Sequence, residues 1–80
     1  MTKPLPLQGY KIIELATVVA APTAGRLLSD YGAEVIKIEM PPAGDPLREM
    51  GEMHMLPTEP GNNPLFDTFN SGKKLISVDL

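Results

Sequence analysis

The 80-residue sequence contains no cysteine and a single histidine, which excludes a disulfide framework and a zinc site of Cys and His ligands. It has no excess of basic charge. Seven Lys and Arg stand against ten Asp and Glu, a net charge of −3, so neither nucleic acid nor an anionic membrane is expected as its main partner. It also lacks a long hydrophobic run. The most apolar stretch, Leu15 to Ala24, follows Lys3 and Lys11 and faintly imitates a signal peptide, but Glu14 borders it and Pro22 interrupts it. That stretch falls far short of the roughly 20 apolar residues needed to span a bilayer. A cytoplasmic, soluble protein is expected. No Ser/His/Asp grouping, glycine-rich Walker loop, metal-ligand spacing or internal repeat is found. With 42% hydrophobic and 21% charged residues, the composition is that of a globular chain and too apolar for disorder.

A chain of this length makes at most one small domain, which buries only about 60–65% of its unfolded surface and normally needs outside support. Tyr10 to Leu15 is rich in β-branched residues and follows Gly9, which predicts a strand. Pro22 suits the first turn of a helix, where its missing N–H would have had no partner. From Thr23 to Tyr31, the spacing of Ala24, Leu27, Leu28 and Tyr31 predicts an apolar stripe packed on a sheet, with Gly32 as the stop. Glu34 to Glu39 predicts a second strand, and the pair implies a right-handed parallel crossover. From Met40 to Pro64 lie six of the nine prolines and four of the five methionines, which predicts a long loop. Within it Asp45-Pro46 could open a short helix, Asp45 as N-cap. After the turn signature Asn70-Ser71-Gly72, Lys74 to Leu80 predicts a third strand. Three parallel strands and one helix cannot cover both faces of a sheet, so the chain reads as an incomplete α/β unit with a Rossmann-like start.

Ligands in such folds collect beyond the carboxyl ends of the strands, where a helix N-terminus favours anions. Val18 to Pro22 occupies that position. Its small side chains either admit a ligand to the backbone or let the helix pack close to the sheet. Glu39 stands where a dinucleotide-binding fold places its ribose-binding acid, but the required G-x-G-x-x-G is missing, so nicotinamide dinucleotide is disfavoured. His54 reads as an exposed loop imidazole rather than a base. Met50, Met53 and Met55 suit either an apolar substrate pocket or a subunit interface. Lys73 and Lys74 read as a solvated turn or an attractor of anions.

The ordered set of segments is more specific than any one of them. Gly9 to Leu15, Ala20-Ala21-Pro22, Gly25 to Glu39, Gly44-Asp45-Pro46-Leu47-Arg48 and Asn70 to Leu80 resemble the amino terminus of the family III CoA-transferases. The resemblance runs from Leu7 onward over the rest of the chain. The Ala-Ala-Pro turn and the long insert before Asn70 look most like the branch acting on 2-hydroxyacyl and aryl-acryloyl CoA esters, which serves amino-acid fermentation. The resemblance implies a homodimer of interlocked chains, coenzyme A thioesters and a carboxylic acid as substrates, and no metal. It implies that residues 1–80 open the large Rossmann-like CoA-binding domain of a chain several times longer.

The mechanism that the resemblance implies starts with attack of an enzyme carboxylate on the acyl-CoA thioester. The nucleophile in the family is an aspartate downstream of the matched region. Asp30, Asp45, Asp67 and Asp79 do not match it, so no catalytic residue is assigned. The positions matching family CoA contacts are Val18, Val19 and Ala20 in the turn, Met40 after the second strand, and Val78, Asp79 and Leu80 at the third. In formyl-CoA transferase the position of Met40 carries a basic contact to the nucleotide end, so that ionic contact is lost or replaced here. Net charge −3 fits CoA binding only if the main phosphate-binding cations lie beyond Leu80. A racemase acting at carbon-2 of methyl-branched acyl-CoA on the same fold, and a free-standing nucleotide- or CoA-binding module, are the alternatives. The 80 residues alone are expected to be inactive and to associate through unpaired strand edges.

Overall fold

The computed structural model describes residues 4–79. In chain order the elements are β1 (Lys11–Glu14), α1 (Ala20–Asp30), β2 (Glu34–Glu39), α2 (Leu47–Met50), a 3-10 turn (Gly51–His54), α3 (Pro64–Asn70) and β3 (Lys74–Ser77). The strands form one parallel sheet in the order β1-β2-β3. Glu14 lies opposite Lys37, Lys37 opposite Leu75, and Ile38 opposite Ile76. This is the α/β opening expected from the sequence. β2 has the expected bounds, β1 is shorter at both ends, and β3 stops at Ser77, although the Val78 N–H still donates to the Glu39 carbonyl at 3.0 Å.

Two expectations fail. The α1 stripe does not face the sheet: Ala24, Leu27 and Tyr31 are exposed and Leu28 is only half-buried, while Pro22 and Gly25 face inward. The reason is clearance. A Cβ on Gly25 would fall well inside van der Waals contact of Glu14 Oε1 and 3.3 Å from Lys73 Cε, so only a glycine lets the helix lie this low over the sheet. The helix also starts at Ala20, which puts Pro22 within its first turn rather than at its first residue. The second is α3, which the sequence does not predict: it starts at Pro64, the last residue of the expected loop, and runs through the stretch before Asn70, where no element is expected. Asn63 caps it, its Oδ1 accepting from the Phe66 N–H at 3.1 Å, and Pro64 follows at the first helical position.

α1 and α3 pack against each other on one side of the sheet, tied where the Arg26 guanidinium donates to the Thr68 carbonyl. Under them lie Glu14, Val35, Lys37 and Glu39, all buried. Among the described residues, the buried apolar side chains are Pro22, Ala33, Val35, Leu47 and Phe66, outnumbered by buried Glu14, Lys37, Glu39, Asp45, Asn63 and Asn70. The charged half of β2 therefore faces inward, and the interior is held as much by ion pairs as by apolar contact. By register, Ile13, Ile36, Ile38 and Ile76 share the opposite face, where Ile13 is 57% and Ile76 45% exposed. Parallel sheets are normally covered on both sides.

Candidate functional site

The carboxyl ends of β1 and β2 carry a cleft of about 220 Å³. Leu15, Ala16 and Thr17 form one wall and Ile38 to Met40 another, with Gly44 and Asp45 between them. The walls are mainly apolar side chains and backbone.

Behind the cleft runs a chain of buried charges of alternating sign: Asp45, Lys37, Glu14, Lys73. Lys37 Nζ, completely buried, reaches Glu14 Oε2 at 2.8 Å, Asp45 Oδ2 at 2.8 Å and the Ala16 carbonyl at 3.1 Å. These three acceptors satisfy all three ammonium donors. Lys73 Nζ, also completely buried, lies 2.6 Å from Glu14 Oε1 and donates to the Pro22 carbonyl at 2.9 Å and to Asn70 Oδ1 at 2.8 Å. Asp45 Oδ1 accepts from the Val18 and Leu47 N–H groups, both at 3.0 Å. Two positive and two negative groups leave no net charge, and such an arrangement is tolerated in an interior only when every member is paired.

The chain of charges braces the β1–α1 turn at three points: Lys37 at the Ala16 carbonyl, Asp45 at the Val18 N–H, and Lys73 at the Pro22 carbonyl. At the second of these, Val18 adopts φ 64°, a left-handed conformation that costs a β-branched residue about 1–3 kcal/mol. The Asp45 carboxylate compensates for that strain from across the cleft. Asp45 also does for α2 what an N-cap does, although the helical span begins one residue after Pro46. Burial by itself would raise the Asp45 carboxyl, but Lys37 and the Leu47 and Val18 amides outweigh it and hold the group below the usual carboxylate range. Burial is the larger influence on Lys73 and draws its ammonium below the usual lysine range, against the pull of Glu14.

Glu39 closes the loop that follows β2. Its Oε1 accepts from the Asp45 N–H at 2.8 Å and from Arg48 Nε at 2.7 Å, and Oε2 accepts from Arg48 Nη2 at 2.7 Å. The Arg48 fork holds the carboxyl below its ordinary range against the opposing effect of burial. Both oxygens are thus occupied internally, and the ribose-binding role considered for this residue has no support in the geometry. Gly44, at φ 75°, packs so close that a Cβ would come within 2.7 Å of Glu39 Oε1. Arg48 also lies over the Phe66 ring, 3.9 Å from its centroid.

Of the residues that the resemblance marks as CoA contacts, Met40 lines the cleft and is 56% exposed. Val18 is half-buried with its N–H engaged by Asp45, whereas Val19 and Ala20 are exposed at the start of α1. Val78 and Asp79 are exposed at the end of β3, Val78 tied to Glu39, and Leu80 lies outside the described residues. Of these residues only Met40 lines the cleft; Val18, Val19, Ala20, Val78 and Asp79 lie outside its lining, which includes Leu15, Ala16, Thr17, Ile38 and Gly44, residues that residue types alone do not single out. Lys37, Glu14 and Lys73 were missed as braces. For Lys37 the signal, a charge alternating with apolar residues along β2, is the same as that of a solvated face; Glu14 at the end of β1 and Lys73 before β3 carry no such pattern.

Lys73 is not the solvated residue one reading made it; it is part of the interior. Lys74 is exposed and pairs with Glu34. His54 is exposed, as expected. Among the described residues no group of three or more His, Cys, Asp or Glu could hold a metal ion, and no helix is long and apolar enough to cross a membrane.

Residues 7–80 match the description CoA-transferase family III. The chain is 43% identical over 74 residues to (R)-2-hydroxy-4-methylpentanoate CoA-transferase of Clostridioides difficile, covering 92% of this chain and 18% of that protein. It is 50% identical over 72 residues to cinnamoyl-CoA:phenyllactate CoA-transferase of Clostridium sporogenes, covering 90% and 17%. The crystal structure of a CAIB/BAIF family protein from Brucella suis superposes with a TM-score of 0.82 at 38% identity, over 96% of this chain and 20% of that one. The chain thus spans less than a fifth of the length of the two enzymes. On both sequence and fold, this chain belongs to CoA-transferase family III.

Proposed function

We propose that these residues open the Rossmann-like CoA-binding domain of a cytoplasmic enzyme that moves CoA from an acyl-CoA donor to a carboxylic acid, a 2-hydroxy acid in particular. The observation that carries this reading is the family match over residues 7–80. The acceptor class is supported by two relatives named for 2-hydroxy acids, the 4-methylpentanoate and the phenyllactate. In the proposed reaction an enzyme aspartate attacks the thioester carbonyl, forming a mixed anhydride and releasing CoA thiolate. The thiolate attacks the aspartyl carbonyl of the anhydride, giving an enzyme thioester and freeing the donor acid. The acceptor carboxylate then attacks that thioester, releasing the thiolate and forming a second mixed anhydride. The thiolate returns to the acceptor's carbonyl, so the new acyl-CoA leaves and the aspartate is regenerated.

The nucleophile's part is assigned to none of Asp30, Asp45, Asp67 and Asp79, which do not match the family's aspartate; Asp45 is besides buried and already engaged by Val18, Leu47 and Lys37. The part assigned to this segment is binding. Val18, Val19, Ala20, Met40, Val78, Asp79 and Leu80 are the proposed contacts to CoA, with the cleft taking an apolar portion of it. Lys37, Lys73 and Arg48 are engaged by carboxylates within the protein, and the phosphates are proposed to meet cations from other parts of a homodimeric, interlocked enzyme.

The test is to incubate the full-length protein with an acyl-CoA and a 2-hydroxy acid and to look for the new CoA ester by mass spectrometry. Formation of the acceptor's thioester supports the reading. Failure with every acid offered, together with isotope exchange at carbon-2 of a 2-methylacyl-CoA in the absence of acceptor, would replace it with a racemase.

A further inference from the structure

The buried charges serve a turn rather than a reaction. Lys37 and Asp45 come from β2 and the loop behind it, and neither projects into the cleft as a free charge. Their combined effect is on the backbone: Lys37 takes the Ala16 carbonyl at 3.1 Å, Asp45 takes the Val18 N–H at 3.0 Å, and Val18, held at that N–H, is left-handed at φ 64°. A valine adopts that conformation only when its surroundings impose it. Left free, the turn would relax to negative φ and redirect the peptide that leads into α1.

We propose that Asp45, backed by Lys37, is a positioning residue that holds the β1–α1 turn in its CoA-binding shape before CoA arrives. This rests on the reading of the turn as a CoA contact. The consequence is preorganisation: binding does not have to order the turn, so affinity that would otherwise go into ordering is retained. Asp45 lines the cleft but acts through Val18, its carboxylate being occupied by Val18, Leu47 and Lys37.

The test uses the full-length protein and the variants Asp45→Asn and Asp45→Asn/Val18→Gly. In Asp45→Asn the new NH2 group faces either the Lys37 ammonium or the Val18 and Leu47 N–H groups; either way donor meets donor, the charge that ties the turn to Lys37 is gone, and the hold on the turn is weakened. Free CoA is expected to bind about tenfold more weakly, a change of about 1.4 kcal/mol, with a matching rise in KM for the acyl-CoA. KM for the acceptor acid is expected to stay as it was. Glycine at position 18 adopts positive φ without strain, so the double variant is expected to recover part of the lost affinity. Damage that merely unfolded a fraction of the molecules would lower kcat and leave KM alone, and glycine would not repair it.

The proposal is overturned if Asp45→Asn binds CoA as the wild type does, or if its loss is not relieved by Val18→Gly. If Asp45→Asn fails to fold, Val18→Gly and Val18→Pro make the same comparison, since proline cannot take positive φ. Glycine binding CoA at least about tenfold more tightly than proline supports the proposal. Equal binding by the two overturns it. Wild-type protein that does not bind CoA at all would instead refute the functional reading on which the proposal stands.

Discussion

Replacing Gly25 by alanine tests whether the ion pairs set the height of α1 above the sheet. On helix propensity alone the change is favourable by about 1 kcal/mol, because glycine is the poorest ordinary residue in a helix interior. Against this, the new methyl overlaps Glu14 Oε1 and lies 3.3 Å from Lys73 Cε. Glu14 cannot swing away freely: its side chain is 5% exposed and is held by Lys37 at 2.8 Å and Lys73 at 2.6 Å. Restoring van der Waals contact requires the carboxylate or the helix to move by about an ångström, and that lengthens both ion pairs. Breaking a buried pair costs about 3–5 kcal/mol, so the net loss is about 2–4 kcal/mol once the propensity gain is subtracted. Native-state hydrogen exchange on α1 and β1 in the full-length protein reads this locally. Ala24→Gly, one residue earlier on the exposed side, is the control and is expected to cost about 1 kcal/mol. Unchanged or increased protection in Gly25→Ala would refute the account of the packing.

Other perturbations have equally definite outcomes. The Glu39 carboxyl is held below its ordinary 4.5, so its ionised form contributes stability that is complete above pH 4.5 and is lost as pH falls through the lower folded value. Thermal midpoints measured downward from pH 4.5 should show that loss, and Glu39→Gln should flatten it while lowering stability at neutral pH. Asn63→Ala removes the α3 cap and the 2.7 Å bond from Nδ2 to the Arg48 carbonyl, for about 2 kcal/mol in hydrogen exchange at α3. Asn63→Asp, which keeps only the cap, should lose about half of that. The isolated 80-residue chain should self-associate in sedimentation velocity through its open strand edges and uncovered isoleucine face, and Ile13→Lys with Ile76→Lys should reduce association. A monomer with a sharp cooperative melt would count against that view.

The strand and helix order was legible because β2 and the start of β3 announce themselves through β-branched residues and bounding turns. The faces were not. Apolar residues at 24, 27, 28 and 31 satisfied a helical period, yet helix orientation was decided by what lay beneath, a carboxylate that tolerates only Gly25 above it. The same kind of concealment applies to Lys37 and Glu14. Their burial follows from register, which places them opposite each other, and register is a property of paired strands rather than of either strand alone. α3 was readable in principle: Asn63-Pro64 repeats the pattern of an acceptor side chain before proline that was noticed at Asp45-Pro46. The richness of the surrounding loop in proline masked it. The small residues of the β1–α1 turn placed it at Val18 to Pro22, whereas it runs over residues 15–19 and Ala20 to Pro22 already belong to α1; the strain at Val18 and its remedy at Asp45, 27 residues away, belong to the folded chain.

The alternating charges also constrain how such a sequence can change over generations. Asp45, Lys37, Glu14 and Lys73 come from four separate stretches of the chain, and each neutralises a neighbour in the interior. A substitution that removes one sign strands its opposite in a medium that does not tolerate it, so no member can drift alone without passing through a destabilised protein. An apolar replacement of the whole set would remove the stranded charges but leave the Ala16 and Pro22 carbonyls and the Val18 and Leu47 N–H groups without these partners, and it lies several simultaneous mutations away. The interior is thus a historical lock: entered once as a set, it is left only as a set, and the turn it supports persists along with it.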